Sequence, residues 1–303
     1  MSAATVLRLR DRVLDLGPRP LLMGIVNATP DSFTDAGDHP TLDARVELGA
    51  ALLEAGADLL DVGGESARGD RPATAAAEEL ERVVPLIVRL SGELGAAVSV
   101  DTYKPEVAEA AIAAGAVLVN DVSGLRDPRM AVLCARTGAG LVLMHTRVAP
   151  KGTLLEPGRY DDVVADVAGF LRERIDTAIE HGVAPEQLIL DPGPDFAKTP
   201  AQTLAVLRSL GDLHALGRPL LLAVSNKDFV GALTGRAPRE RLAGTLAAVA
   251  HGVDAGAHVL RVHDVAAVTD FLRVQAALRG EVELAAEAGL TPDRFPTEDH
   301  SLG

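Results

Sequence analysis

The stretch AAVSVDTYK, residues 96–104, sets the pattern for the whole chain. A short apolar run stops abruptly at a carboxylate, Asp101, and an alanine-rich, helix-like segment follows. Reading outward, seven more runs behave the same way: PLLMGIV (20–26), ADLLDVG (57–63), AVLVN (116–120), GLVLMH (140–145), QLILD (187–191), PLLLAVS (219–225) and HVLRVH (258–263). They finish at Asn27, Gly63-Gly64-Glu65, Asn120, His145, Asp191, Ser225-Asn226-Lys227 and Arg261-Val262-His263. Strands that alternate with helices require parallel pairing through crossovers. Eight such units, each ending in polar residues, predict an α/β fold of the (β/α)8 TIM barrel type, whose reactive groups gather at the C-terminal strand ends. The competing open doubly wound sheet usually places its ligand at one switch point, and no G-x-G-x-x-G follows the first strand.

The rest of the chain fits around this unit. Alternating apolar positions in ATVLRLRDRVLDL (4–16) predict a small hairpin, within residues 1–18, that plugs the bottom of the barrel. The barrel is expected over 19–280, and 281–303 reads as an acidic extension without periodicity. Ala-Gly pairs recur before strands, at 55–56, 114–115 and 255–256. They suit a helix C-terminus with glycine in the left-handed conformation. Thr74 is the expected N-cap of a helix that carries Glu78 and Glu79 in its first turn and a kink at Pro85.

Lys+Arg 29 against Asp+Glu 43 gives a net charge of −14, which argues against general nucleic-acid or anionic-membrane binding. Cys134 is the only cysteine, so an intrachain disulfide is impossible; within MAVLCARTGAG it reads as a small buried filler. Neither a signal-peptide pattern nor an apolar stretch approaching 18 residues is present, and the expected compartment is the cytoplasm.

Several strand ends carry groups suited to a flat, nitrogen-rich ligand. Asp101, Asn120 and Asp191, with Lys227 after the seventh run, would converge on one rim. A carboxylate there accepts two parallel N–H bonds from a guanidine-like edge, as it does from arginine. Arg261 and His263 alternate onto one side of the last strand and form an anion site of the phosphate type. In GGESARGDRPAT (63–74), two glycines allow close backbone approach, and Arg68 and Arg71 can reach an anion. GIVNATPDSFTDAG (24–37) is a long loop able to close over a ligand. His145 reads as a polar core or site-wall residue without a catalytic role, and no zinc pattern exists.

Taken in order, GIVNATPDSF, DVGGESAR, SVDTYK, VNDVSG, LMH, LDPGPDFAKT, SNK and RVHDV resemble the dihydropteroate synthase family over about residues 20–280. The resemblance implies a pterin-binding barrel, usually a homodimer. It joins 6-hydroxymethyl-7,8-dihydropterin diphosphate to an arylamine, p-aminobenzoate, and releases pyrophosphate with help from Mg²⁺. By position, Asp101, Asn120, Asp191 and Lys227 match the pterin pocket. Asn27, Arg68, Arg261 and His263 match the diphosphate and metal region, with Asn27 as the metal ligand. The implied mechanism is largely dissociative and needs no protein nucleophile.

The departures cluster. Ser66-Ala67-Arg68-Gly69 stands where the family usually has Ser-Thr-Arg-Pro. Ser225-Asn226-Lys227-Asp228 stands for Ser-Arg-Lys-Ser, and Pro194-Asp195 for an apolar residue and glycine. The positions of Ala67, Asn226 and Asp228 match the side that holds the substrate carboxylate. Asp228 there would set two anions close together, worth about 4 kcal/mol of unscreened repulsion at about 4 Å and an effective dielectric near 20. The alternatives to a standard synthase are therefore a paralogue that uses a different, neutral or cationic amine, and a non-catalytic pterin-binding or partner-binding protein. A pterin-dependent methyltransferase is disfavoured, because the diphosphate-site residues remain.

Overall fold

The computed structural model describes residues 6–29, 41–66, 72–152 and 160–283. It opens with an antiparallel hairpin, β1 (Val6–Leu9) and β2 (Arg12–Asp15). Eight parallel strands follow: β3 (Leu21–Asn27), β4 (Leu59–Gly63), β5 (Val98–Asp101), β6 (Leu118–Asp121), β7 (Gly140–Met144), β8 (Leu188–Asp191), β9 (Leu221–Leu222) and β10 (Val259–Val262). They are hydrogen-bonded in the order β8-β7-β6-β5-β4-β3-β10-β9, and a parallel bridge between Leu190 and Leu220 joins the two ends. The barrel is thus closed, as the sequence predicts. The seventh expected strand contracts from seven residues to two, because only Leu221 and Leu222 pair with β10.

Helices cover the outside: α1 (Leu42–Glu54), α2 (Ala76–Gly92), α3 (Pro105–Ala113), α4 (Arg129–Thr137), α5 (Val163–Glu180), α6 (Pro200–Arg208), α7 (Asp228–Thr234), α8 (Leu242–Asp254) and α9 (Val265–Leu278). Helix starts are set locally. The Asp162 carboxylate accepts the Val164 and Ala165 N–H groups, and Thr199 with Gln202 forms a reciprocal capping box. Thr74 is not the N-cap of α2. That position is Ala75, and the Thr74 N–H is instead donated to Glu65. α2 runs unbroken through Pro85. Gly56, Gly115 and Gly256 all take positive φ at the helix-to-strand turns, as expected.

Strand alternation splits the core into two layers of contact. Leu22, Val26, Leu60, Val62 and Val100 face the helices. Met23, Leu59, Ala97, Val142, Ile189, Leu221 and Val259 fill the barrel interior. Leu7 and Leu9 of the hairpin are fully buried in that interior cluster. Leu9 packs so tightly on Gly140 that any side chain there would overlap it. The Arg10 N–H is donated to the Gly138 carbonyl, and its guanidinium to those of Ile112 and Ala116. The hairpin therefore closes the bottom of the barrel. The inward positions nearest the top, above the apolar layers, fall to Asn27, Asp61, Ser99, Asp101, Asn120, Asp191 and Arg261. Cys134 is buried, and burial pushes its thiol up to about 12, which suits an inert filler.

Candidate active site

One ion cluster spans the top of the barrel. Arg261 Nε donates to Asp61 Oδ2 at 2.6 Å, and its Nη2 donates to Asp101 Oδ2 at 2.9 Å. Asn120 Nδ2 donates to the same Asp61 oxygen at 3.2 Å. Asp61 is fully buried. Such a charge is tolerable only when a cation and donors face it. Burial pushes the Asp101 carboxyl up to about 7. The Arg261 guanidinium opposes that shift, while Asp61, Glu79 and Glu65 reinforce it. The remaining oxygens, Asp61 Oδ1 and Asn120 Oδ1, and the Ser99 hydroxyl are buried without a hydrogen-bond partner. Three acceptors thus converge on one place, which suits a ligand rich in N–H donors.

Across the rim, Asp191 accepts the Gly193 N–H at 2.7 Å, and burial raises its carboxyl. Gly193 has a φ of +63°, and a Cβ there would stand 2.2 Å from the His145 carbonyl oxygen, so only glycine fits. Lys227 Nζ lies 4.5 Å from the centroid of the Phe196 ring. Burial lowers its ammonium, and Asp195 and Asp191 pull it back up. His263 Nδ1 sits 2.9 Å from the Ser225 hydroxyl. Burial, with Arg261 and Lys227 nearby, pushes its imidazole down to about 4. Asn27 ends β3 beside Gly63 and is half-buried.

A cleft opens on the Asp101 side, with Glu65, Ser66, Tyr103, Lys151 and Phe196 among its walls. Its frame is electrostatic. Lys104 Nζ bridges Glu65, at 2.5 Å, and the buried Glu79; Tyr103 donates to Glu65 at 3.1 Å. Lys151 reaches the Ser66 carbonyl and lies 3.2 Å from Glu65, tying two rim loops together.

The structure gathers Asp101, Asn120, Asp191, Lys227, Arg261, His263 and Asn27 at the C-terminal end of the barrel, on β3, β5, β6, β8 and β10 and the loops after β9 and β10. Arg261 is bonded to the pocket carboxylates themselves, so the expected separation of a pterin side from an anion side is not strict at that residue. Ala67 and Arg68 lie outside the described residues. Asp228 requires a correction: its side chain is 84% exposed and turned to Arg241 Nη1, at 3.0 Å. The physical reason is Arg241, which also grips the Asn226 and Lys227 carbonyls and draws Asp228 outward. Asn226 is held in the left-handed region, φ +57°, and lines a groove with Arg239 and His263.

Sequence reasoning missed Asp61, whose signal was a carboxylate inside a strand two positions before Gly63, on the same inward face. It also missed Lys198. This buried ammonium donates to the Gly193 and Phe196 carbonyls at 2.8 and 3.1 Å and touches His145 Nδ1 at 2.8 Å. His145 in turn meets Asp166 at 2.8 Å. Burial and the Lys198 charge push the imidazole down to about 3, so it serves as a neutral post beneath the loop. Among the described residues, no group of three or more His, Cys, Asp or Glu is arranged to hold a metal, and no helix is long and apolar enough to cross a membrane.

The pterin-binding enzyme family matches residues 23–263. The dihydropteroate synthase of Synechocystis is 40% identical over 268 residues, covering 88% of this chain and 92% of its own. Dihydropteroate synthase of Xanthomonas albilineans, solved with 4-aminobenzoic acid, superposes with a TM-score of 0.82 at 45% identity, covering 92% of this chain and 99% of the other. The same enzyme solved with 7,8-dihydropteroate gives 0.80 at 45% identity, with 90% and 98% covered. With a barrel of this closure and a polar rim of this composition, the chain belongs to the dihydropteroate synthase family of pterin-binding enzymes.

Proposed function

We propose that this chain is a dihydropteroate synthase. It condenses 6-hydroxymethyl-7,8-dihydropterin diphosphate with p-aminobenzoate: the methylene C–O bond breaks, a C–N bond forms, pyrophosphate leaves, and the amine loses one proton. The observation that carries this reading is the buried Arg261–Asp61–Asp101–Asn120 cluster facing Asp191 and Lys227. Its carboxylates and amide oxygen accept the N–H edge of the pterin, and Lys227 and Asp191 hold the other edge. A preorganised, water-poor rim of this kind acts on charge that develops as the leaving group departs. Arg261, His263 and Arg68 stand for the diphosphate. Ala67, Asn226 and Asp228 keep the roles that their positions imply only as far as backbone contacts allow, since the Asp228 carboxylate faces Arg241.

Magnesium favours six oxygen ligands in octahedral geometry and commonly binds through a few carboxylates, substrate phosphates and waters. At the end of β3 the described rim offers the neutral amide oxygen of Asn27, and among the described residues no group of three or more His, Cys, Asp or Glu is arranged to hold a metal. That donor set fits a magnesium that arrives on the diphosphate rather than a resident ion. Asn27 would hold it, and the ion would neutralise the charge of the departing pyrophosphate.

We also place the protein in the cytoplasm as a homodimer, its sequence divided into a hairpin (1–18), the pterin-binding barrel (19–280) and an acidic extension (281–303); Leu233 on α7 and Leu242 on α8 are exposed apolar surface available for pairing. The deciding experiment supplies purified protein with the pterin diphosphate, p-aminobenzoate and Mg²⁺ and follows dihydropteroate and pyrophosphate. Stoichiometric appearance of both is expected. Tight pterin diphosphate binding with no product from this amine would overturn the assignment.

A further inference from the structure

The loop between β8 and α6 contains three left-handed residues: Gly193 at a φ of +63°, Asp195 at +65° and Ala197 at +53°. Two of the three carry a Cβ, which disfavours that conformation. Such a turn persists only where its surroundings over-determine it. Asp195 supplies one tie, since its carboxylate accepts the Thr203 hydroxyl at 3.0 Å and the Asp228 N–H at 2.6 Å. Lys198 supplies another. Its ammonium donates to the carbonyls of Gly193 at 2.8 Å and Phe196 at 3.1 Å, with a longer contact of 3.4 Å to that of His145. It also donates to His145 Nδ1 at 2.8 Å. Because Nδ1 accepts, the ring proton lies on Nε2 and is donated to Asp166 at 2.8 Å, and Arg147 grips that carboxylate in turn.

An ammonium is costly in this place. Lys198 is 1% exposed and bonded to neutral acceptors, where an apolar side chain of similar length would avoid the desolvation of a charge. The charge holds the turn, and the turn carries the site. Gly193, gripped at its carbonyl, donates its own N–H to Asp191 at 2.7 Å. Phe196, gripped at its carbonyl, presents its ring to Lys227, whose Nζ lies 4.5 Å from the centroid. We propose that Lys198 is a positioning residue for pterin binding: buried beneath the rim, it acts through the 193–196 turn to set Asp191 and Lys227 against the edge of the pterin that they hold. The inference rests on the transferase reading above.

The test uses Lys198→Met in the full-length protein, which keeps an apolar stem and removes every donor. With Mg²⁺ present, calorimetry is expected to give a Kd for the pterin diphosphate about tenfold above the wild type, as the loss of hydrogen bonds from a charged donor requires. In an Asp191→Ala background the same change should cost less than about threefold, because the main route from the turn to the pterin has gone. The kcat per folded molecule should stay within about threefold while the KM for the pterin diphosphate rises; a lysine that merely stabilises the fold lowers the folded fraction and leaves KM unchanged. An unchanged Kd, or an equal factor in both backgrounds, overturns the proposal. If Lys198→Met does not fold, Lys198→Gln, which returns a neutral donor, is judged by the same criteria. Failure of both to fold makes the lysine a folding residue and overturns the proposal as well. A wild type that binds the pterin diphosphate yet gives no product from p-aminobenzoate refutes the transferase reading alone, and the Kd comparison still decides the role of Lys198. A wild type that does not bind the pterin diphosphate overturns both.

Discussion

Replacing Arg261 with methionine separates the buried charges of the rim from the cation bonded to them. Asp61 is fully buried and Asp101 is 17% exposed, and Arg261 donates to both. Removing one partner of a buried ion pair costs about 3–5 kcal/mol, because the charge left behind has neither water nor a counterion. The pH dependence follows from the same cause. The Asp101 carboxyl already stands at about 7, raised above its ordinary 3.8, and Arg261 is what holds it from rising further. A carboxyl whose folded pKa is raised binds protons that the unfolded chain releases, so its destabilising effect grows as pH climbs from about 4 through the folded value. In the variant that window extends to higher pH. Urea unfolding is expected to show a deficit of about 3–5 kcal/mol at pH 8 that shrinks to about 1–2 kcal/mol at pH 5.5, where the stranded Asp101 carboxyl takes up a proton. Adding Asp61→Asn to Arg261→Met should restore part of the loss, giving a coupling energy above about 1 kcal/mol. A deficit below about 1 kcal/mol that is equal at both pH values would refute the reasoning, because it would mean that water already screens the cluster.

Other consequences are open to direct measurement. Gly193→Ala forces a Cβ to 2.2 Å from the His145 carbonyl oxygen at a φ of +63°, and should cost about 3 kcal/mol or more in urea unfolding while displacing Asp191. His263, pushed down to about 4 by burial, contributes stability that is full above about 6.5 and fades as pH falls toward 4; His263→Gln should remove about 2–3 kcal/mol of that acid sensitivity, read as flatter unfolding free energies between pH 7 and 4. Asn27→Ala should leave the thermal midpoint within about 2 °C and weaken Mg²⁺-dependent pterin diphosphate binding about tenfold by calorimetry. Light scattering should give twice the mass of one chain.

The fold was legible because a parallel barrel writes itself into period and punctuation. Each strand is buried on both faces, so it appears as an apolar run, and it stops where the barrel meets solvent, so it ends in a polar residue. The same regularity placed Asp101, Asn120, Asp191, Arg261 and His263 on one rim before their contacts were known. It misplaced β9, where hydrogen bonding ends after Leu222 although the apolar run continues to Val224. It passed over Asp61 because a carboxylate inside an apolar run is invisible to a search of strand ends. It passed over Lys198 and Asp166, the partners of His145, because their contacts span as many as 53 residues along the chain, with no local signature.

Asp228 and Asp195 show where the limit lies. Both are carboxylates near the rim, and their charges alone make them equal candidates to repel an anionic substrate. Backbone conformation and a distant cation separate them. Arg241, thirteen residues beyond Asp228, draws that side chain into solvent. Asp195, in a left-handed conformation, turns its carboxylate onto the N–H groups at the start of α7 and is anchored from behind by Thr203. One carboxylate is thereby removed from the site, and the other is fixed beside it. The number and type of charged residues can be read from a chain, but the direction in which each side chain projects is set by φ and by partners elsewhere in the fold. The effect of a carboxylate on the rim depends on that direction: Asp228 is turned to Arg241 and solvent, whereas Asp195 is clasped to the N–H groups at the start of α7.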